Sequence, residues 1–268
     1  MNVDKYLARI GFSGDPTPTI EQLNKLHALH VGSIAFENVN PYIGVRGTLA
    51  LDELYGRVVE QKRGGGCYEL NGLFCELLQR LGFCATLLPA KLYKRDAVDD
   101  ASLHAVISVS VGEKLWYVDP GYGEGGVVYP LELKGGATQK QQSYFYRFTQ
   151  QENGWVFARS KTAKSWTNLL LIDQTPVSLS YFDERALYHQ TSPDSWFRKN
   201  FTCSVLSESS EKVLLNTKFT HFSPAKRTTT YIKTKEALFD LLLHTFGLEL
   251  SKEVAAELFS KLQTKTLL

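Results

Sequence analysis

The sequence predicts an α+β protein arranged in three lobes. Three observations predict it. Apolar residues recur at helical spacing through the first third of the chain. Strand-like alternation takes over after Phe83. A mixed tail then ends in two capped helical segments. These changes of pattern place boundaries near residues 82 and 190, giving lobes of 1–82, 83–190 and 191–268.

Asp4 to Ile10 reads as a short helix, and the breaker-rich stretch Gly11 to Pro18 ends it. Thr19 to Val31 carries Ile20, Leu23, Leu26, Leu29 and His30 on one helical face. Leu51 to Lys62 shows a weaker helical pattern. Cys67 to Leu81 is the clearest helix. Leu70, Leu73, Phe74, Leu77, Leu78 and Leu81 form one apolar stripe, Gly64, Gly65 and Gly66 precede it, and Gly82 stops it. Ala105, Ile107, Val109 and Val111 then alternate with Val106, Ser108 and Ser110, and Leu115 to Val118 is apolar and aromatic. Further strands are expected at Val127–Leu133, Ser143–Thr149, Gly154–Ser160 and Lys212–His221. Lys235 to Phe246 and Lys252 to Leu262 close the chain as helices, with Thr234 and Ser251 as N-caps.

Composition narrows the classes of function. With 268 residues, 43% of them hydrophobic, the chain can bury a substantial core, and wholesale disorder is excluded. A formal charge of +2 without any Lys/Arg-rich run gives no case for nucleic acid. No apolar stretch is long enough to span a membrane. Met1 to Phe12 lacks the apolar core of an export signal, so a cytoplasmic protein is expected. Its four cysteines, Cys67, Cys75, Cys84 and Cys203, show no CxxC spacing and are expected as free thiols.

One cysteine stands apart. A thiol is a weak nucleophile until it ionises, and the free N–H groups and dipole of a helix N-terminus favour the anion. Cys67 is placed at such a terminus, behind three glycines and among Arg63, Tyr68, Glu69 and Asn71. Cys75 and Cys84 sit among Phe74, Leu77, Phe83 and Leu87 and read as small core residues. A thiolate nucleophile needs a base, and the base needs an orienting group. His104 opens one strand and Asp119 closes the next, with Val111-Gly112-Glu113-Lys114 as a hairpin turn between them. A two-residue loop makes paired positions sum to 225, facing His104 with Gly121 and placing Asp119 diagonally on the same sheet face. A three-residue loop puts the two on opposite faces. Gly121, Gly123 and Gly126 match G-x-G-x-x-G, but Val127-Val128-Tyr129-Pro130 cannot be the helix a dinucleotide site requires, so the motif is a glycine-rich turn. His27 and His30 share a helix face without a third ligand and read as a packed or solvated pair, not a metal site.

The segment Arg63-Gly64-Gly65-Gly66-Cys67-Tyr68-Glu69-Leu70-Asn71 resembles that of the arylamine N-acetyltransferases, whose nucleophile sits in Arg-Gly-Gly-aromatic-Cys-aromatic-Glu-x-Asn. Asp119-Pro120-Gly121-Tyr122-Gly123 is similar to that family's Asp-x-Gly-aromatic-Gly turn, with His104 on the strand ahead of it. Tyr6-Leu7-Ala8-Arg9-Ile10-Gly11, Ala35-Phe36-Glu37-Asn38-Val39 and Thr191-Ser192-Pro193-Asp194-Ser195-Trp196-Phe197 extend the resemblance over most of the chain in the family's order. Gly66 stands where the family usually has an aromatic, and Pro120 and Tyr122 replace a more common apolar residue and Phe.

The resemblance implies a papain- or transglutaminase-like fold with an N-terminal helical bundle, a central antiparallel β-barrel and a C-terminal α/β lid. It implies ping-pong acetyl transfer of the kind used in xenobiotic metabolism. Acetyl-CoA is the co-substrate, no cofactor is bound permanently, and no metal is required. Acceptors would be small aromatic amines, hydrazines or N-hydroxyarylamines. Cys67, His104 and Asp119 would form the catalytic triad. Phe36, Tyr122, Gly121 and Gly123 would border the acceptor, Arg63, Glu37 and Asn71 would support the site, and Asp100, Ala101 and Ser102 would touch coenzyme A. The same triad would also serve an amide synthase, or a cysteine amidase or peptidase, and a catalytically dead binding module is a further alternative. The sequence leaves a homo-oligomer open.

Overall fold

The computed structural model describes residues 1–94 and 97–266. The first lobe is helical. Helix α1 (Val3–Arg9) and helix α2 (Ile20–Ser33) come first, and the Thr19 hydroxyl caps α2 by accepting from the Gln22 N–H at 3.3 Å. A two-residue strand β1 (Phe36–Glu37) and short helices α3 (Val39–Ile43) and α4 (Leu51–Tyr55) follow. The helix expected over Leu51–Lys62 is broken. It widens into a π-helical turn at Gly56–Glu60 and ends at Lys62, whose φ of 51° no helix continues. Helix α5 (Cys67–Arg80) is the lobe's central rod, with Leu70, Leu73, Phe74, Leu77 and Leu78 fully buried. Gly82 stops it with a φ of 86°.

The second lobe is one antiparallel sheet of eight strands: β2 (Cys84–Lys94), β3 (Ala97–Val111), β4 (Lys114–Val118), β5 (Leu131–Glu132), β6 (Thr138–Gln141), β7 (Tyr144–Gln151), β8 (Gly154–Ser160) and β9 (Thr167–Asp173). Their spatial order is β5-β4-β3-β2-β9-β8-β7-β6. The sheet curls until its two edge strands meet. The Gln139 side chain accepts from the Glu132 N–H and donates to the Glu132 carbonyl, both at 2.8 Å, standing in for a ladder pair. This near-closed barrel carries its own core of Tyr117, Tyr146, Phe148, Phe157 and neighbouring aliphatics. The strand expected at Val127–Leu133 shrinks to Leu131–Glu132. Gln141 satisfies the backbone of Val128 and Tyr129 instead, at 3.1 Å to each N–H and 2.7 Å to the Tyr129 carbonyl.

After a 3₁₀ turn at Leu179–Phe182 come helices α6 (Asp183–Thr191) and α7 (Trp196–Lys199). Strands β10 (Thr202–Leu206), β11 (Glu211–Leu215), β12 (Lys218–Phe222) and β13 (Arg227–Tyr231) build a second sheet, closed by helices α8 (Lys235–Phe246) and α9 (Lys252–Thr266). The single strand expected at Lys212–His221 is a hairpin, turned at Asn216 with φ 52°. In this sheet β1 is the edge strand beside β10, so the first lobe contributes a strand to the third. These three layers are the α+β fold that the sequence predicts. Among the described residues, no helix is long and apolar enough to cross a membrane.

The glycines before Cys67 serve packing rather than a sharp turn, since none of them has a positive φ. A Cβ on Gly64 would lie 2.0 Å from the Ala35 carbonyl oxygen, because β1 bridges to Gly65 there. At Gly66 the nearest atom to an added Cβ is 3.8 Å away. Gly64→Ala should therefore cost about 3 kcal/mol of stability, near the top of the usual overpacking range. Gly66→Ala should cost under about 1 kcal/mol. Urea unfolding of both variants checks the contrast, and equal losses would refute it.

Candidate active site

Cys67 is the first residue of α5, behind an N-cap glycine whose backbone N–H is accepted by Glu69 Oε2 at 2.7 Å. Glu69 Oε1 in turn takes Arg57 at 2.5 Å, which holds the entrance to the helix. Four residues along, Asn71 faces the β-barrel. Its amide nitrogen donates to the Ala105 carbonyl at 2.6 Å and to Asp119 Oδ1 at 2.7 Å, and its oxygen accepts from the Gly121 N–H at 2.8 Å. A Cβ on Gly121 would lie 2.9 Å from both Asn71 Oδ1 and the Cys67 carbonyl, so glycine is required for this contact.

His104 and Asp119 meet through the β3–β4 hairpin. Its register pairs Val111 with Lys114 and Ile107 with Val118, which is the two-residue loop, with Gly112 at φ 60°. His104 Nε2 lies 2.8 Å from Asp119 Oδ2, and only 6% of the histidine and 1% of the aspartate are exposed. Cys67 lies close enough to His104 to act on its protonation, and with Nε2 held by Asp119 the ring's Nδ1 is left free of that bond. Burial alone would weaken this imidazole as a base. The Asp119 charge and hydrogen bond, together with Cys67, overcome that and raise its pKa to about 10.

Two groups that sequence reasoning missed complete the surroundings of Asp119. Tyr117, seen in the sequence only as part of an apolar strand, donates its hydroxyl to Oδ2 at 2.6 Å. His27 accepts the Asp119 backbone N–H at 3.2 Å, and its Nδ1 bonds the Val128 carbonyl at 2.8 Å. Burial holds His27 down to a pKa of about 4, against the Val128 bond and Asp119, so it stays neutral and can accept. His30 is likewise buried and bonds Tyr6 at 3.0 Å. Nothing in the sequence pattern marks the two histidine contacts, because both span long separations in the chain.

The supporting pair is present as geometry. Arg63 donates to Glu37 Oε1 from Nε at 3.1 Å and from Nη2 at 2.8 Å, and Glu37 Oε2 accepts the Val39 N–H at 2.6 Å. Burial opposes the charge on Glu37, but these partners hold its carboxyl below the usual range. Tyr122 packs its ring edge-on to His104 at 5.7 Å. A mostly apolar cavity of about 50 Å³ opens beside Cys67, walled by Pro41, Leu49, Gly66, Tyr68, His189 and Phe197 among others. None of Phe36, Gly121, Tyr122 and Gly123 lines it. Phe36 lies against Gly123 and Phe197. Ala101 and Ser102 lie on β3, where the Ala101 N–H and the Ser102 hydroxyl both bond the Asp99 carboxylate. The side chain of Asp100 lies outside the described residues.

A profile of an N-acetyltransferase family matches residues 19–255. The arylamine N-acetyltransferase of Mycolicibacterium smegmatis is 30% identical over 258 residues, covering 93% of each chain. The chain belongs to the arylamine N-acetyltransferase family. The pineal gland isozyme NAT-3 of Gallus gallus, another arylamine N-acetyltransferase, is 30% identical over 82% of this chain and 83% of its own. The Mycobacterium marinum arylamine N-acetyltransferase in complex with CoA superposes with a TM-score of 0.89 at 25% identity, covering 98% of this chain and 99% of its own. The chain is thus an acyltransferase of that family.

Two of the other thiols of this arylamine N-acetyltransferase, Cys75 and Cys203, are buried. Burial followed by Glu76 raises the pKa of Cys75 to about 12, while burial drives Cys203 well above the ordinary thiol value. Cys84, expected in the core, is exposed at the start of β2, because it opens the strand and faces outward there. Iodoacetamide should therefore modify Cys67 first, Cys84 later and Cys75 and Cys203 last, as read by peptide mapping.

The raised pKa of His104 also sets a pH dependence. A group more basic in the folded state stabilises fully below its unfolded pKa of about 6.5 and loses that contribution as the pH rises through its folded value. The extra instability of Asp119→Asn should therefore shrink between about pH 6.5 and the folded value of about 10. Denaturant midpoints of both proteins across that window check the sign, and a penalty that grows with pH would contradict it.

Proposed function

We propose that this enzyme transfers an acetyl group from acetyl-CoA to an arylamine, arylhydrazine or N-hydroxyarylamine through a thioester on Cys67. The observation that carries the reading is the buried His104–Asp119 pair beside Cys67, which is half-buried at the N-terminus of α5 and borders an apolar cavity. His104 takes the proton of the Cys67 thiol. The thiolate then attacks the acetyl carbonyl carbon, and the negative charge passes to the carbonyl oxygen. The backbone N–H of Cys67, at the start of the helix, is the donor proposed for that oxyanion. Collapse of the tetrahedral species breaks the bond to the CoA sulfur, which leaves as the thiol with the proton from His104. The amine nitrogen next attacks the thioester and gives a proton to His104. Collapse of this second tetrahedral species breaks the bond between the carbonyl carbon and the Cys67 sulfur, releasing the amide and leaving the thiolate, which the proton on His104 can return to the thiol.

Asp119 holds Nε2 of the ring and so leaves Nδ1 for the sulfur, while its charge stabilises the imidazolium formed in each half-reaction. Tyr117, Asn71 and the Asp119 backbone contact with His27 keep that carboxylate in place. Arg63 and Glu37 support the loop before α5, and Tyr122 borders the ring of His104. Coenzyme A contacts are proposed along Asp100, Ala101 and Ser102, next to His104 on β3.

Mass spectrometry after mixing with acetyl-CoA should show one added acetyl group on Cys67 and one equivalent of free CoA. An arylamine should then remove the label, and Cys67→Ala should take none. Steady acetate release without an amine would point to a hydrolase, and a protein inert to acetyl-CoA would point to an amide synthase.

A further inference from the structure

The cavity beside Cys67 carries two polar groups that the acetyl-transfer chemistry does not use. His189 and Gln190, consecutive on α6, both line it. His189 is held on three sides. Its ring lies parallel to Tyr68 at 6.3 Å, the ring of Phe197 meets it edge-on at 5.0 Å, and Nδ1 is 3.2 Å from the hydroxyl of buried Ser195. Its Nε2 bonds no group among the described residues. Gln190 accepts the Gly47 N–H through Oε1 at 2.9 Å, which fixes which end of the amide is which. Its amide nitrogen donates to nothing among the described residues. Gly66 leaves the space beside them open where the family motif carries an aromatic ring, with no atom closer than 3.8 Å to an added Cβ.

The two carboxylates in the walls are already paired. Glu37 is paired with Arg63, and Glu69 with Arg57. Burial, followed by Arg185, brings His189 down to a pKa of about 4, so it is neutral at physiological pH. A charged substituent entering this cavity would lose water and find both wall carboxylates already paired, which is costly, whereas a neutral group loses little once hydrogen-bonded. A hydroxyl can donate to a bare Nε2 of His189 and accept from the Gln190 N–H, and where Nε2 carries the proton its two lone pairs can accept from both, so it suits either tautomer.

We propose that His189 and Gln190 select acceptors whose aromatic ring carries a neutral hydrogen-bonding substituent, a hydroxyl or primary amide, in the space that Gly66 leaves open. This rests on the acetyl-transfer reading above and names the acceptor class for that site. A ligand-observed NMR titration of the unacetylated wild-type protein with phenol, anisole and benzoate tests it. Phenol should bind about ten-fold more tightly than either of the others, the effect of a hydrogen bond gained without a buried charge. His189→Leu should reduce that preference to about two-fold or less, His189→Gln should restore part of it, and Gly66→Phe should abolish binding of all three. Equal wild-type affinity for phenol and anisole, or a preference for benzoate, overturns the proposal, and neither result depends on a variant folding. The same preference surviving in a folded His189→Leu also overturns it. A parallel acetylation assay with 4-aminophenol and 4-methoxyaniline should show the difference in KM rather than kcat. If the wild type forms no acetyl-Cys67, the acetyl-transfer reading fails while the titration still decides what the cavity binds.

Discussion

The side chain of Asn71 joins the helix that carries Cys67 to the strands that carry His104 and Asp119. It spends both amide protons and its oxygen on Ala105, Asp119 and Gly121. A sulfur, an imidazole and a carboxylate from two separate lobes can be held side by side only if the lobes themselves are locked together. Packing of α5 on β2 and β3 supplies the bulk of that lock, and Asn71 supplies its direction. Buried polar groups without partners are expensive, so the joint has one satisfied arrangement and the lobes have one docking pose. The absence of a side chain at Gly121 is part of the same constraint.

Burying a carboxylate beside an imidazole demands compensation, and the fold supplies it from every side of Asp119. Tyr117 and Asn71 donate to its oxygens, His104 faces it, and a neutral His27 accepts from its backbone. Desolvation by itself would make His104 a weaker base. The carboxylate reverses that, so one interaction both orients the ring and sets its protonation. His27 illustrates the opposite case: burial outweighs the Val128 bond and the Asp119 charge and leaves a neutral ring, and neutrality is what lets it accept a hydrogen bond.

The third lobe acts on the site through β1 and Asn38. That amide donates to the carbonyls of Phe197 and Asn200 and accepts from the Thr202 N–H, fixing the segment that carries Phe197 into the cavity wall. The adjacent Glu37 is neutralised by Arg63. The cavity is therefore shaped by residues distant in sequence but fixed by a few fully satisfied polar groups, with aromatic rings filling the space between them.

The sequence by itself determined what depends on short-range patterning. The period of the apolar stripe gave α5 and put Cys67 at its start, the alternation after Phe83 gave the barrel strands, and Thr234 and Ser251 marked the starts of the last two helices through local side-chain caps. It also offered a hairpin with two parities, and only the observed register, pairing Val111 with Lys114, put His104 and Asp119 on one face. Tertiary structure alone decided the rest. The break in α4 at Gly56, the loss of strand before Leu131, the exposure of Cys84, and the roles of Tyr117, His27, His189 and Gln190 each depend on a partner far along the chain or on which way a strand faces. Periodicity records whether a residue is buried. It does not record what the residue is buried against, and hydrogen-bond partners and cavity walls are properties of that second choice.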